Sequence, residues 1–132
     1  YRMDNSILVG KHIRNILVGD ETLSQYLQSG QITALVANEN TTFPFIVFSR
    51  TGLTPSYTKD GLLESNITFE IVCVSTDYVE SLEIANIVRN LLECKCYTDE
   101  ELYIKQIILS AVNEDYMYDA YVQRLTFSMV VR

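Results

Sequence analysis

Phe43-Pro44-Phe45-Ile46-Val47-Phe48-Ser49-Arg50, the polar run Thr51-Gly52-Leu53-Thr54-Pro55-Ser56-Tyr57-Thr58-Lys59-Asp60-Gly61 and the segment onward to Leu92 decide how this chain reads. The first eight residues are aromatic and β-branched, which suits a pleated, half-buried strand. Pro44 has no N–H for a ladder, so that end belongs at a sheet edge or at the strand's first residues. Gly52, Pro55 and Gly61 then put three breakers into one stretch, and Thr51 to Gly61 reads as an irregular exposed loop, too long for a tight hairpin. From Leu63 to Ser75 the pattern returns, with Ile67, Phe69, Ile71 and Cys73 to one side and Thr68, Glu70, Val72 and Val74 to the other. The first set is expected to face the core. The second turns apolar towards its end, so the far half of the strand is expected to be covered on both faces. Asp77, with Glu80 three residues later, has the spacing of a capping box. The helix it opens runs to about Glu93, with Val79, Leu82, Ile84, Ala85, Val88, Leu91 and Leu92 as a wide apolar face.

Working outward, Ile7, Leu8, Ile13, Ile16 and Leu17 form a helical stripe between Ser6 and Val18, with Ser6 as its cap and Gly19-Asp20 as its stop. Glu21 to Leu27 reads as a short helical turn. Ile32 to Ala37 reads as a short strand, and Asn38 to Thr42 as a polar connection. Two strands close the chain, Leu102 to Asn113 and Ala120 to Val131. In the second, Tyr121, Gln123, Leu125, Phe127, Met129 and Val131 alternate against Val122, Arg124, Thr126, Ser128 and Val130. The six residues between them, Glu114 to Asp119, are short enough for the two strands to pair as a hairpin. The expectation is an α+β fold, a mainly antiparallel sheet of four to five strands with an N-terminal helix and one long helix packed on one face. Residues 1–132 are expected to make one domain, because this length suits one compact core. Tyr1-Arg2 precede Met3, so these two are expected to be an expression remnant.

Composition restricts the function classes. The net charge of −7 argues against nucleic-acid binding through the general surface, which needs clustered Lys and Arg. Acidic residues gather late, at Glu93, Asp99, Glu100, Glu101, Glu114, Asp115 and Asp119, opposed there by Lys95 and Lys105. They read as a solvated face that, pooled by several copies, would repel DNA. Cys73, Cys94 and Cys96 make an odd set without a disulfide-scaffold spacing, which points to a reducing compartment. Cys94-Lys95-Cys96 lacks the further ligands that zinc requires, since His12 is far away in sequence. No apolar run is long enough to cross a bilayer, and neither a membrane partner nor a cofactor is expected.

Catalytic constellations are missing from the sequence. His12 is the sole histidine and sits inside a helix without an acid or thiol near it, which suits a packed or solvent-side residue. There is no Gly-x-Ser-x-Gly elbow, and the glycines are isolated from one another. Glu100-Glu101 and Glu114-Asp115 fall in expected turns, where carboxylates are normally solvated. The expectation is a protein that is not an enzyme. Nine tyrosines and no tryptophan suggest interfaces instead. Thr51, Leu53, Tyr57, Lys59 and Asp60 in the long loop, with Tyr116, Met117 and Tyr118 at the final hairpin, are the candidate contact residues.

The order of elements resembles the tail-completion and tail-terminator proteins of long-tailed bacteriophages. The residues carrying the likeness are Phe43 to Phe48, Ile67 to Val74, Asp77 to Ala85 with Val88-Arg89, and Arg124 to Val130; Cys94-Lys95-Cys96 departs from it. The resemblance implies a structural virion protein, assembled in the host cytoplasm into a homo-oligomeric ring, by analogy a hexamer. That ring would sit at the head-proximal end of the tail, complete or terminate the tube and join it to the head connector. Its partners would be copies of itself, the tail-tube protein and the connector or stopper, with DNA only passing through the lumen. The alternatives are another head-tail connector component, a stopper or adaptor, and a small α+β ligand-binding or regulatory domain.

Overall fold

A computed structural model of the chain describes residues 6–36, 42–59, 61–98, 100 and 102–132, without the side chains of residues 29, 62 and 63. A 3-10 turn (Ser6–Leu8) leads into α1 (Val9–Val18), a short α2 (Glu21–Ser24), a second 3-10 turn (Ser29–Gln31) and β1 (Ile32–Ala34). The long strands β2 (Phe45–Thr58) and β3 (Gly61–Ser75) follow, then α3 (Tyr78–Leu92), the two-residue β4 (Tyr97–Thr98), β5 (Tyr103–Met117) and β6 (Ala120–Val131). The strands form one six-stranded sheet in the order β1-β2-β3-β6-β5-β4. Only β1 with β2 is parallel; the other neighbours are antiparallel.

The α+β class therefore stands, with six strands instead of four to five and with two 3-10 turns beyond the helical pieces expected, the short turn after Asp20 being found as α2. The largest correction concerns Thr51 to Gly61. It is no loop: β2 runs on to Thr58, and Thr58 pairs with Gly61 at the start of β3. The three breakers are each accommodated in place. Gly52 sits where the register shifts by a bulge after Arg50, a position that favours glycine. Pro55 lies on β2 beyond the reach of β1, on the outer strand where a missing N–H is tolerated. Gly61 takes φ +121°, a backbone conformation strained for other residues. Likewise Glu114 to Met117 belong to β5, leaving a two-residue turn, Tyr118-Asp119. At the other end, the strand expected to reach Ala37 stops at Ala34. Ala37 and the connection from Asn38 to Thr41 lie outside the described residues, as do Tyr1 to Met3.

One core joins the helices to one face of the sheet. Val9, Ile13 and Leu17, spaced by four on α1, pack with Ile84, Val88 and Leu92 of α3 against Ile67, Phe69 and Ile71 of β3 and Leu125, Phe127 and Met129 of β6. Each such side chain, taken fully from water, contributes about 1.5–3 kcal/mol. The α3 apolar face is narrower than its sequence suggests, because Val79 and Leu82 remain exposed. Its start also differs from a capping box: the Asp77 side chain makes no cap bond. Ser75 at the end of β3 takes its place, accepting from the Asp77 N–H at 3.1 Å and donating from its hydroxyl to Glu80 at 2.7 Å. Ser6 precedes α1 as part of the 3-10 turn, and Leu8 holds the cap position. Asp20 both follows α1 and caps α2, accepting from the Leu23 N–H at 2.8 Å.

Candidate assembly surfaces

The candidate residues fall on two hairpins that point from opposite ends of the sheet. At one end, β2 and β3 continue past Ser65, the partner of Val131 near the end of β6, so their last residues form a two-stranded arm. Thr51, Leu53 and Tyr57 lie along β2, and Lys59 is in the turn. Leu53 is half-buried against the core, whereas Tyr57 is 69% exposed. The Thr51 hydroxyl donates across the bulge to the Thr68 carbonyl at 3.2 Å. Asp60 lies outside the described residues.

At the other end, Tyr116, Met117 and Tyr118 crown the β5–β6 hairpin, and Tyr118 is 93% exposed. Tyr118 and Asp119 adopt φ of 52° and 60°, the pair of positive values that a tight β-hairpin turn requires. Asp tolerates this conformation, but a tyrosine held there carries a strain of roughly 1–2 kcal/mol. The hairpin is fastened to α3. The Tyr78 hydroxyl donates to Glu114 at 3.0 Å, and the buried Gln123 amide donates to Glu114 at 3.1 Å and to the Ser81 hydroxyl at 3.4 Å. Tyr121 packs its ring against both Tyr78 and Tyr116. The hydrogen bond to the Glu114 carboxylate, aided by its charge, raises the Tyr78 phenol above its ordinary pKa. Sequence reading picked Tyr116 and missed this network, because Tyr78, Ser81 and Gln123 meet only through tertiary packing.

The helix-free face of the sheet carries a feature that the sequence shows only in part. Val74, Ala120 and Val122 are buried there with Phe45 and Val72 against them. These residues, with Phe43, Met117, Tyr118 and Arg124, line an apolar groove of about 180 Å³. The apolar turn of Val72 and Val74 signals this cover, whereas the contribution of Phe43 depends on its ring meeting Phe45 at 5.3 Å. Farther along the same face an Arg124–Glu70 pair at 3.5 Å interrupts the apolar surface.

Other reactive groups are dispersed. His12 is buried on α1 and lines a cavity with Tyr97 and Leu102. Cys73 is buried, and burial pushes its thiol up to about 12, while Cys94 and Cys96 are exposed after α3. Among the described residues no three His, Cys, Asp or Glu side chains gather as a metal site, and no helix is long and apolar enough to cross a membrane. Glu114, Asp115 and Asp119 place three carboxylates at the β5–β6 end; Asp99 and Glu101 lie outside the described residues.

No protein-family model matches this sequence, and no curated protein matches it. Among solved structures, the fold is similar to that of a chain in the virion of a native gene transfer agent (GTA) particle. The TM-score is 0.77 at 12% sequence identity, with 90% of each chain covered. At this identity the likeness defines the architecture: a long-stranded sheet with helices on one face.

Proposed function

We propose that this chain is a structural virion protein that assembles as a ring at the head-proximal end of a phage tail, completing or terminating the tube and joining it to the head connector. The observation that carries the proposal is the fold likeness to a chain of a GTA virion over 90% of both chains. Its support from the molecule is that the described candidate residues other than Leu53, which packs against the core, sit on exposed parts of hairpins at opposite ends of a well-packed sheet. A heterologous ring needs two different patches per subunit, and the two hairpins differ in charge. In this reading the protein is not an enzyme, its tyrosine-bearing tips meet the tube and the connector, and its acidic end keeps the path clear for DNA.

The test is assembly of the purified chain, followed by size-exclusion chromatography with light scattering and by co-sedimentation with tail tubes. Closed oligomers that cap tube ends are expected. A chain that stays monomeric and ignores tube ends overturns the reading. A stopper or adaptor would instead bind the head connector and leave tube length unchanged.

A further inference from the structure

The two outer long strands of the sheet are only partly covered. On β2, the neighbour β1 pairs with Ile46 to Phe48 and no farther. From Ser49 to Tyr57 the outward edge of β2 has no strand beside it among the described residues. On β5, β4 pairs with Tyr103 and Ile104, and the Cys94 N–H donates to the Ile107 carbonyl at 2.9 Å. From Ile108 to Met117 that edge is likewise open among the described residues. An open edge presents a row of unpaired N–H and C=O groups on which another strand can pair. Here the blocks, β1 and β4, stand at opposite ends of opposite edges.

The geometry points to head-to-tail pairing of the β2 edge of one copy with the β5 edge of the next, giving a sheet continuous across subunits. This rests on the ring reading above and specifies the contact that closes the ring. Strand direction fits: β2, β3, β6 and β5 alternate, so β2 of one copy meets β5 of the next antiparallel, with both copies pointing the same way. Register is set by the blocks. Leu53 is level with Ile67, while Glu114 is level, through Gln123, with Cys73, six residues farther along β3. Sliding one copy by this amount brings the two open segments together and carries β1 past the end of the neighbour's β5 and the β2–β3 tip clear of its β4. A six-residue slide is roughly 20 Å, set against roughly 19 Å across four strands. The strands then incline by about 45°, at the upper end of what closed barrels adopt.

Side chains agree with this register. Leu53 and Glu114 both lie on the helix side, and Thr54 and Asn113 both on the bare side, so each pair shares a face. Exposed Val112 comes beside Pro55, which itself leaves one gap in the donor row. Arg50 comes beside Tyr116 and diagonal to Glu114, an aromatic and acidic site suited to a guanidinium.

The test uses the full chain carrying Cys94→Ser and Cys96→Ser, so that no exposed native thiol remains. Adding Thr54→Cys with Asn113→Cys and a mild disulfide oxidant is expected to give a ladder of covalently joined subunits, whereas Thr54→Cys with Gln106→Cys, the pair for unslid copies, is expected to give none. Hydrogen exchange on the unsubstituted chain reads the same contact without any substitution: the outward-facing amides within 49–57 and 108–117, Pro55 having none, slow by about tenfold or more on assembly. Oligomers without the cross-link and without slowed edge amides overturn the edge pairing and leave the ring reading standing. Cross-linking through Gln106 overturns the register. A chain that forms no oligomer from about 1 μM to about 1 mM overturns both readings.

Discussion

The β2–β3 and β5–β6 hairpins are made of the same antiparallel ladder, yet among the described residues it is the β5–β6 tip that is bonded to a helix. The β5–β6 tip is held to α3 by Tyr78, Glu114, Gln123 and Ser81 and ends in a strained two-residue turn. The β2–β3 arm runs past the end of β6 as two strands, with a Lys105–Glu64 pair at 3.6 Å beside its root. A two-stranded hairpin is marginally stable by itself. The difference teaches that exposure alone does not define a contact element. One tip is tied to a helix, whereas the other is a two-stranded extension of the sheet.

The largest expected effect tests their common root. Phe127→Ala, in the centre of β6 and fully buried, is expected to cost about 3–5 kcal/mol in denaturant unfolding. Both hairpins should lose exchange protection together. If only β5–β6 does, the two are independent units and the comparison loses its basis. Next, Gln123→Ala removes a buried amide joined to both Ser81 and Glu114, at a cost of about 1–3 kcal/mol. Exchange should quicken at Tyr116 to Tyr121 while Ser56 to Gly61 stays unchanged; equal loosening of both tips would break the distinction. A smaller effect of opposite sign comes from the turn. Tyr118→Asn with Asp119→Gly suits the positive φ angles and should add about 1 kcal/mol of stability, measured by the thermal midpoint, while weakening any contact that Tyr118 makes.

The pH responses are the smallest. The Tyr78 pKa is raised, so folding favours its protonated form. Its contribution is full below the ordinary phenol range and is lost as pH rises through the raised value. Tyr78→Phe should remove one late-titrating phenol from the ultraviolet titration and abolish that loss at the β5–β6 tip only. Cys73 obeys the same sign: its contribution is complete below the ordinary thiol value of 9.0 and fades as pH climbs towards about 12. At neutral pH a thiol reagent should modify Cys94 and Cys96 and reach Cys73 only after unfolding.

Much of the frame could be read from periodicity. The inward set Ile67, Phe69, Ile71 and Cys73 and the β6 alternation both match the buried face, because a period of two on a sheet with one covered face leaves little choice. The cover on Val74 was legible for the same reason. The β2 extension was not, since Gly52, Pro55 and Gly61 signal a loop locally and are tolerated only by a bulge, an outer strand and a turn that tertiary structure supplies. Asp77 and Glu80 likewise match a local rule that Ser75, brought in at the end of β3, displaces. Of the two hairpin ends, the turn after Met117 was legible from the polar run Glu114 to Asp119, whereas the one at Lys59 was hidden inside a run that reads as a loop. The open edges were not legible, because strand order decides which residues lie on an edge.

Native mass spectrometry of the full chain over a concentration series, with electron-microscope class averages of the same samples, tests the proposed ring most directly. Closed oligomers of one subunit number with a central opening are the predicted result. A monomer at every concentration, or an open ladder of sizes with no closed species, would contradict the ring.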